Sequence, residues 1–116
     1  MKILFLGDVV GISGCSKLMN NLMNEIKSKN VDFVIVNGEN AASQGVGLTK
    51  EICNDFFNCG VDVITTGNHV WDKKEIMGIL IKKIDCCVLK IFLSQHQVEV
   101  SIFIILKIIL KLVYLI

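Results

Sequence analysis

Three short, mainly apolar segments occur in the first part of the chain. They lie at 2–7, 32–37 and 61–65, and glycine or polar residues follow each of them. Continuous apolar runs of this length, followed by turn-forming residues, are typical of buried strands. We therefore predict three strands, each leading into a glycine-containing loop. Gly11 and Gly14 are expected to keep the first of these loops open.

Between these runs the apolar residues change to helical spacing. Apolar side chains recur at intervals of three and four residues over 16–29, which predicts an amphipathic helix. A second helix is predicted after Thr49, a favourable N-cap residue, and is expected to end at Gly60. A third helix is predicted to begin at Asp72-Lys73-Lys74-Glu75, a sequence that fits a capping box.

The predicted order of elements is β-α-β-α-β-α, with continuous rather than alternating apolar strands. This order favours an α/β fold with a parallel sheet, covered on both faces and joined by right-handed crossovers. In such sheets, ligands bind beyond the carboxyl ends of the strands. All three glycine-containing loops leave their strands at that end, so we expect the candidate chemistry to lie there.

The pattern changes after residue 83. Residues 84–116 contain no glycine and end in a stretch of Ile, Leu, Val and Phe that Lys107 and Lys111 interrupt. We therefore divide the chain into the N-terminal part of a domain, 1–83, and a divergent apolar tail, for which a shifted reading frame is our explanation. Membrane insertion of the tail would gain roughly 4 to 7 kcal/mol from its apolar residues and cost roughly 5 to 7 kcal/mol for the two lysines. Because these contributions nearly cancel, a membrane span is not favoured.

Net charge, the N-terminal segment and the cysteines limit the partners and the cellular location to be expected. The formal net charge of +1 gives no reason to expect a nucleic-acid duplex or an anionic membrane as a partner. The first apolar run is too short for a secretory signal, because Asp8 interrupts it, so the expected location is the cytoplasm. The five cysteines are odd in number and irregularly spaced. We therefore predict that they are structural free thiols.

The three loops carry side chains that bind metals, in the sequences Gly7-Asp8, Gly38-Glu39-Asn40 and Gly67-Asn68-His69. Carboxylate and amide oxygens with one imidazole suit manganese and iron better than a zinc site built on thiolates. Two such ions about 3.5–4 Å apart can clamp a phosphate group and generate a hydroxide nucleophile. With only two carboxylates, the metal pair would keep a positive charge that attracts an anionic phosphodiester.

These loops resemble the first three motifs of one protein family. The matching sequences are Gly7-Asp8-Val9-Val10-Gly11, Asn37-Gly38-Glu39-Asn40-Ala41-Ala42, and the ten residues from Thr66 to Glu75. They are similar to the YmdB-like metallophosphoesterases, within the calcineurin-like phosphoesterase superfamily. The Gly-Asp and Gly-Asn-His patterns occur throughout that superfamily, whereas Gly-Glu-Asn-Ala-Ala and Asn-His-x-Trp-Asp-Lys-Lys-Glu are more particular. The resemblance covers about residues 1–80.

The resemblance implies the start of a metallophosphoesterase sandwich and a cytoplasmic phosphodiesterase of the 2′,3′-cyclic-nucleotide 2′-phosphodiesterase type. Its cofactors would be two divalent metal ions, iron or manganese, and homo-oligomers could form. Carried over residue by residue, the metal ligands would be Asp8, Glu39, Asn40 and Asn68. Glu39 would bridge the two ions. His69 would be the catalytic general acid that protonates the leaving oxygen, a role that suits histidine near neutral pH.

The chain departs from this family in length and in histidine content. Family members are more than twice as long and carry further histidine ligands in later loops, whereas this chain has only His69 and His96. We therefore expect a truncated fragment that is inactive as it stands. One alternative is that the fragment assembles with itself or with a separately encoded second half. Another is a small non-catalytic protein that residues 98–116 hold at a membrane.

Overall fold

Four parallel strands form a sheet in the computed structural model, which describes residues 1–67, 69 and 86–88. The strands are β1 (Ile3–Leu6), β2 (Phe33–Asn37), β3 (Val63–Thr66) and β4 (Cys86–Val88). They lie side by side in that order, and each is parallel to its neighbour. The predicted α/β fold with parallel strands is therefore confirmed. The first three strands agree with the predicted runs to within about two residues.

The sequence pattern does not predict β4. This strand has three residues, too few to show a periodicity, and it is defined by its pairing with β3. It lies just beyond the predicted boundary at residue 83. The predicted third helix and the rest of the apolar tail, with the membrane alternative that depends on it, lie outside the described residues. Within the part of the chain that is described, no helix is long and apolar enough to cross a membrane.

The first helix, α1 (Gly11–Lys29), begins earlier than predicted. The expectation that Gly11 and Gly14 lie in an open loop is wrong, because both belong to the first turn of α1. Gly11 adopts a φ of 61° and donates its N–H to the carbonyl oxygen of Asn40 at 2.9 Å. A Cβ at Gly14 would lie 3.2 Å from Cγ1 of Val9. Glycine disfavours a helix by about 1 kcal/mol relative to alanine, but here it allows the helix to start close against the preceding loop.

The second helix, α2 (Lys50–Asn58), begins where the sequence predicts. Thr49 is its N-cap, and the threonine Oγ1 accepts a hydrogen bond of 3.3 Å from the N–H of Ile52. After the helix, Gly60 has a φ of 103°, a conformation that glycine adopts without a steric penalty. The chain then turns directly into β3.

Both described helices pack on the same face of the sheet. Right-handed crossovers that always move to the next strand in the same direction place successive helices on one side. The core between the helices and this face is formed by buried apolar side chains, namely Leu18, Leu22, Val34, Val36, Cys53, Phe56 and Ile64. On the opposite face Phe33 and Val63 are also buried, whereas Ile3 and Phe5, on the outermost strand β1, are exposed.

Candidate metal centre

The carboxyl ends of β1, β2 and β3 lie at one edge of the sheet. The strands are parallel and in register, so that Leu6 lies opposite Val36 and Asn37 lies opposite Thr65. The loops that follow therefore begin close to one another. They bring four of the five predicted site residues to this edge: Asp8, Glu39, Asn40 and His69. The fifth, Asn68, lies outside the described residues.

Asp8 is held by a residue from the neighbouring loop. Nδ2 of Asn40 donates hydrogen bonds to both carboxylate oxygens of Asp8, at 3.0 and 3.3 Å. The backbone of Asp8 has a φ of 32°, in the left-handed region that aspartate tolerates better than most residues. In the residues that follow Asp8, Val9 donates its N–H to the carbonyl oxygen of Asn37 and Gly11 donates to that of Asn40. These bonds orient the Asn40 amide with its nitrogen on the Asp8 carboxylate.

Glu39 extends in the other direction, onto the loop that follows β3. Its Oε1 accepts a hydrogen bond of 3.4 Å from the backbone N–H of His69. A Cβ added to Gly67 would overlap the Glu39 carboxylate, lying 2.6 Å from Oε2. At its own backbone, Glu39 donates its N–H to Oδ1 of Asn37 at 3.0 Å. The Glu39 carboxylate thus lies directly beside Gly67, in the loop after β3.

Three residues that support this edge were not predicted to do so. Asn37 holds the backbone of Glu39, and its place at the end of an apolar run is the only sign of this in the sequence. Gly67 provides the space for the Glu39 carboxylate, and its position before Asn-His is a recognisable sign. Cys15 donates its thiol to the carbonyl oxygen of Ala41 at 3.2 Å, and nothing in the sequence indicates this contact. The contacts of Gly67 and Cys15 depend on tertiary packing, whereas Asn37 accepts the N–H two residues ahead of it in a local Asx turn.

The burial of the Cys15 thiol predicts how the stability of the protein depends on pH. Burial raises the pKa of the Cys15 thiol above its ordinary value of 9.0, and the Asp55 carboxylate adds to the rise. Above that ordinary value the unfolded thiol loses its proton while the folded thiol retains it, so the free energy of unfolding falls as the pH rises. We expect the decrease between about pH 8 and about pH 10.5 to be smaller in Cys15→Ala than in the wild type. Urea unfolding at both pH values measures it, and equal decreases would contradict the prediction.

The donor chemistry at this edge fits part of a metal site. Two carboxylates, an amide oxygen and an imidazole are ligands that divalent iron or manganese accepts. Among the described residues, however, no three His, Cys, Asp or Glu side chains are grouped so that they could hold a metal ion. The donors instead form two contacts between loops, Asp8 with Asn40 and Glu39 with the backbone of His69. They supply fewer ligands than the about four to six that each such ion normally takes.

Comparison with known proteins gives consistent matches. A family model described as "YmdB-like protein" matches residues 4–88, a range that includes the strand-end loops carrying Asp8, Glu39 and His69. A protein of Bacillus subtilis named "2′,3′-cyclic-nucleotide 2′-phosphodiesterase" is 47% identical over 81 residues, which are 69% of this chain and 30% of that protein. The similarity therefore covers the candidate site and a minor part of the relative.

Two solved structures resemble the fold. The crystal structure of a novel phosphatase from Mycoplasma pneumoniae has a TM-score of 0.68 at 38% identity, covering 74% of this chain and 30% of that one. A hypothetical protein from Thermus thermophilus has a TM-score of 0.64 at 38% identity, covering 70% of this chain and 31% of that one. The chain thus spans about 30% of the length of the relatives that it matches.

Proposed function

Because this chain belongs to the YmdB-like family, we propose that it carries the N-terminal part of the site of a metal-dependent phosphodiesterase that acts on 2′,3′-cyclic nucleotides. The name of the Bacillus subtilis relative supports this class of substrate. The observation that carries the proposal is the meeting of three strand-end loops, in which the Glu39 carboxylate rests on Gly67 and accepts the N–H of His69. The proposal concerns one part of the site, since the chain spans about 30% of the relatives.

In this proposal Asp8, Glu39, Asn40 and Asn68 hold two divalent ions, iron or manganese. When bound, such ions polarise the phosphodiester and activate a water molecule. The hydrogen bonds from Asn40 hold the Asp8 carboxylate, and the N–H of His69 holds that of Glu39 in the space beside Gly67. Both carboxylates are therefore oriented before any ligand binds, which lowers the cost of ordering them.

His69 is proposed as the general acid. As water attacks the phosphorus, a new P–O bond forms and the bond to the leaving sugar oxygen breaks; the imidazole of His69 would give a proton to that oxygen, and the attacking water would lose one proton to solvent. The hydrogen bond from the backbone N–H of His69 to Glu39 fixes the histidine beside the carboxylate. The proposed acid would thus lie on the loop that contacts Glu39, one of the residues that would hold the metal ions.

Two measurements test the proposal on the purified chain. We expect Mn²⁺ to bind weakly, with an affinity that isothermal titration calorimetry can measure, because the described donors are fewer than two ions need. We expect the hydrolysis of bis-p-nitrophenyl phosphate by the chain alone to remain at background, with the wild type and His69→Ala indistinguishable.

The opposite result in either measurement would contradict the proposal: the binding measurement tests the metal site, and the hydrolysis measurement tests whether that site is partial. If no Mn²⁺ binds, the edge formed by Asp8, Glu39 and Asn40 is not a metal site. If the wild type hydrolyses the substrate with Mn²⁺ and His69→Ala does not, the chain contains a complete site and the proposed partial site is wrong.

A further inference from the structure

Exposed aliphatic side chains lie beside the two loops that carry Asp8 and Asn40. Val10 and Ile12, at the start of α1, are 48% and 68% exposed, and Val46, in the loop after β2, is 36% exposed. We call these three residues the apolar rim. Single exposed apolar side chains are normal in soluble proteins, whereas several that lie together are typical of a binding surface.

Backbone contacts join the two parts of the apolar rim. A Cβ at Gly45 would lie 3.6 Å from Cγ1 of Val10, so Val10 lies directly against the residue that precedes Val46. Next to Val10, the N–H of Gly11 donates to the carbonyl oxygen of Asn40 at 2.9 Å. The start of α1 is therefore fixed against the loop after β2, and the rim is in place before any ligand binds.

The apolar rim adjoins the polar groups of the candidate metal centre. Asp8 is two residues before Val10, and its carboxylate accepts hydrogen bonds from Asn40, the residue whose backbone holds Gly11. This part of the sheet edge thus presents a carboxylate and an amide next to aliphatic carbon. A 2′,3′-cyclic nucleotide has a matching division, because one ribose ring joins an anionic phosphate to a base whose flat faces pack well against apolar side chains.

We propose that the apolar rim binds the base of the nucleotide, with its aliphatic side chains packed against one face of the ring. This inference rests on the proposed function, in which metal ions hold the phosphate beside the rim. Aliphatic side chains supply contact area but no hydrogen bonds, so the rim favours the larger purines over the pyrimidines. A protein partner fits less well, because three side chains cover far less than the about 800 Å² that each partner buries in a stable interface.

The test measures the binding of two phosphodiesters to the full 116-residue chain in saturating Mn²⁺, by isothermal titration calorimetry. One is 2′,3′-cyclic AMP, and the other is methyl ribofuranoside 2′,3′-cyclic phosphate, which has no base. Ile12→Ser is expected to weaken the binding of 2′,3′-cyclic AMP about five-fold or more and that of the base-free diester less than about two-fold. Met23→Ser is the matched control, since Met23 is 45% exposed on the same helix, about three turns away. We expect it to change neither affinity.

Circular dichroism and urea unfolding establish that each variant is folded, and Val46→Ser replaces Ile12→Ser if the latter is not. Wild-type affinity of the folded variant for 2′,3′-cyclic AMP would overturn the proposal. Equal losses for the two diesters would also overturn it, because the substitution would then act on the phosphate and not on the base. A dimer of this chain that Ile12→Ser dissociates would overturn it as well, since the apolar rim would then join two copies.

Adenosine without any metal ion separates this inference from the proposed function. We expect adenosine to shift the methyl signals of Val10, Ile12 and Val46 in NMR spectra of the ¹³C-labelled chain, and to leave that of Met23 unchanged. If these shifts occur but Mn²⁺ does not bind, the apolar rim is supported and the proposed metal site is contradicted. If Mn²⁺ and the base-free diester bind but adenosine shifts none of the three signals, the rim is wrong and the metal site stands.

Discussion

Phe56→Ala is expected to lower the free energy of unfolding by about 3–5 kcal/mol. Phe56 lies on α2 and is completely buried in the core beneath the sheet. Its ring also supports the candidate site, because a Cβ at Gly38 would lie 3.5 Å from the ring atom Cε2. Removing the ring leaves a cavity that a sheet and two helices cannot easily close. In a domain whose total stability is on the order of 5–15 kcal/mol, this loss removes a large part of it.

Urea unfolding followed by circular dichroism measures this loss. Phe57→Ala is the matched control, since it removes the same ring from the next position in α2, where the side chain is only partly buried. We expect its effect to be less than half as large. Equal effects of the two substitutions would mean that the core does not lie where the structure places it.

Gly67→Ala is expected to reduce the Mn²⁺ affinity of the chain about ten-fold or more, with little change in stability. The added Cβ would overlap the Glu39 carboxylate. The carboxylate is the end of a flexible side chain, so it can move away at low cost to the fold. It would then leave the position in which it accepts the N–H of His69. The loss of affinity therefore measures how much the position of the Glu39 carboxylate beside Gly67 contributes to metal binding.

Gly7→Ala is the control for this substitution. Gly7 also follows a strand and precedes a candidate ligand, but a Cβ there would meet only the Phe5 ring, at 3.9 Å. Isothermal titration calorimetry with Mn²⁺ is expected to give an affinity for Gly7→Ala within about two-fold of the wild type. If both variants bind Mn²⁺ as tightly as the wild type does, Glu39 is not a ligand held in place by Gly67.

Local sequence patterns predicted those elements whose cause is local. The first three strands lie in mainly apolar segments, and α2 begins at a threonine whose hydroxyl accepts the N–H of Ile52. The first turn of α1 was missed, because glycine there reflects the close approach of Val9 and the loop containing Asn40. Only tertiary contacts decide such a position. The same holds for β4, which three residues could not indicate without their partner strand.

In the candidate site, too, the positions of the residues were predictable from the sequence, whereas their contacts were not. Asp8, Glu39, Asn40 and His69 were predicted because each follows a strand in a parallel sheet, and the structure places them at one edge. Their mutual arrangement was not predictable, since it depends on which side chain crosses to which loop. Asn40 reaches back to the first loop, whereas Glu39 reaches forward to the third.

The order of the strands in the sheet has a consequence for synthesis. Each described strand pairs with the one made just before it, across a separation of about 20 to 30 residues. The sheet can therefore assemble in the direction of translation, as each strand leaves the ribosome and adds to the growing edge. Among the described strands, β1 is the first to be made, and each later strand adds at the opposite edge of the sheet.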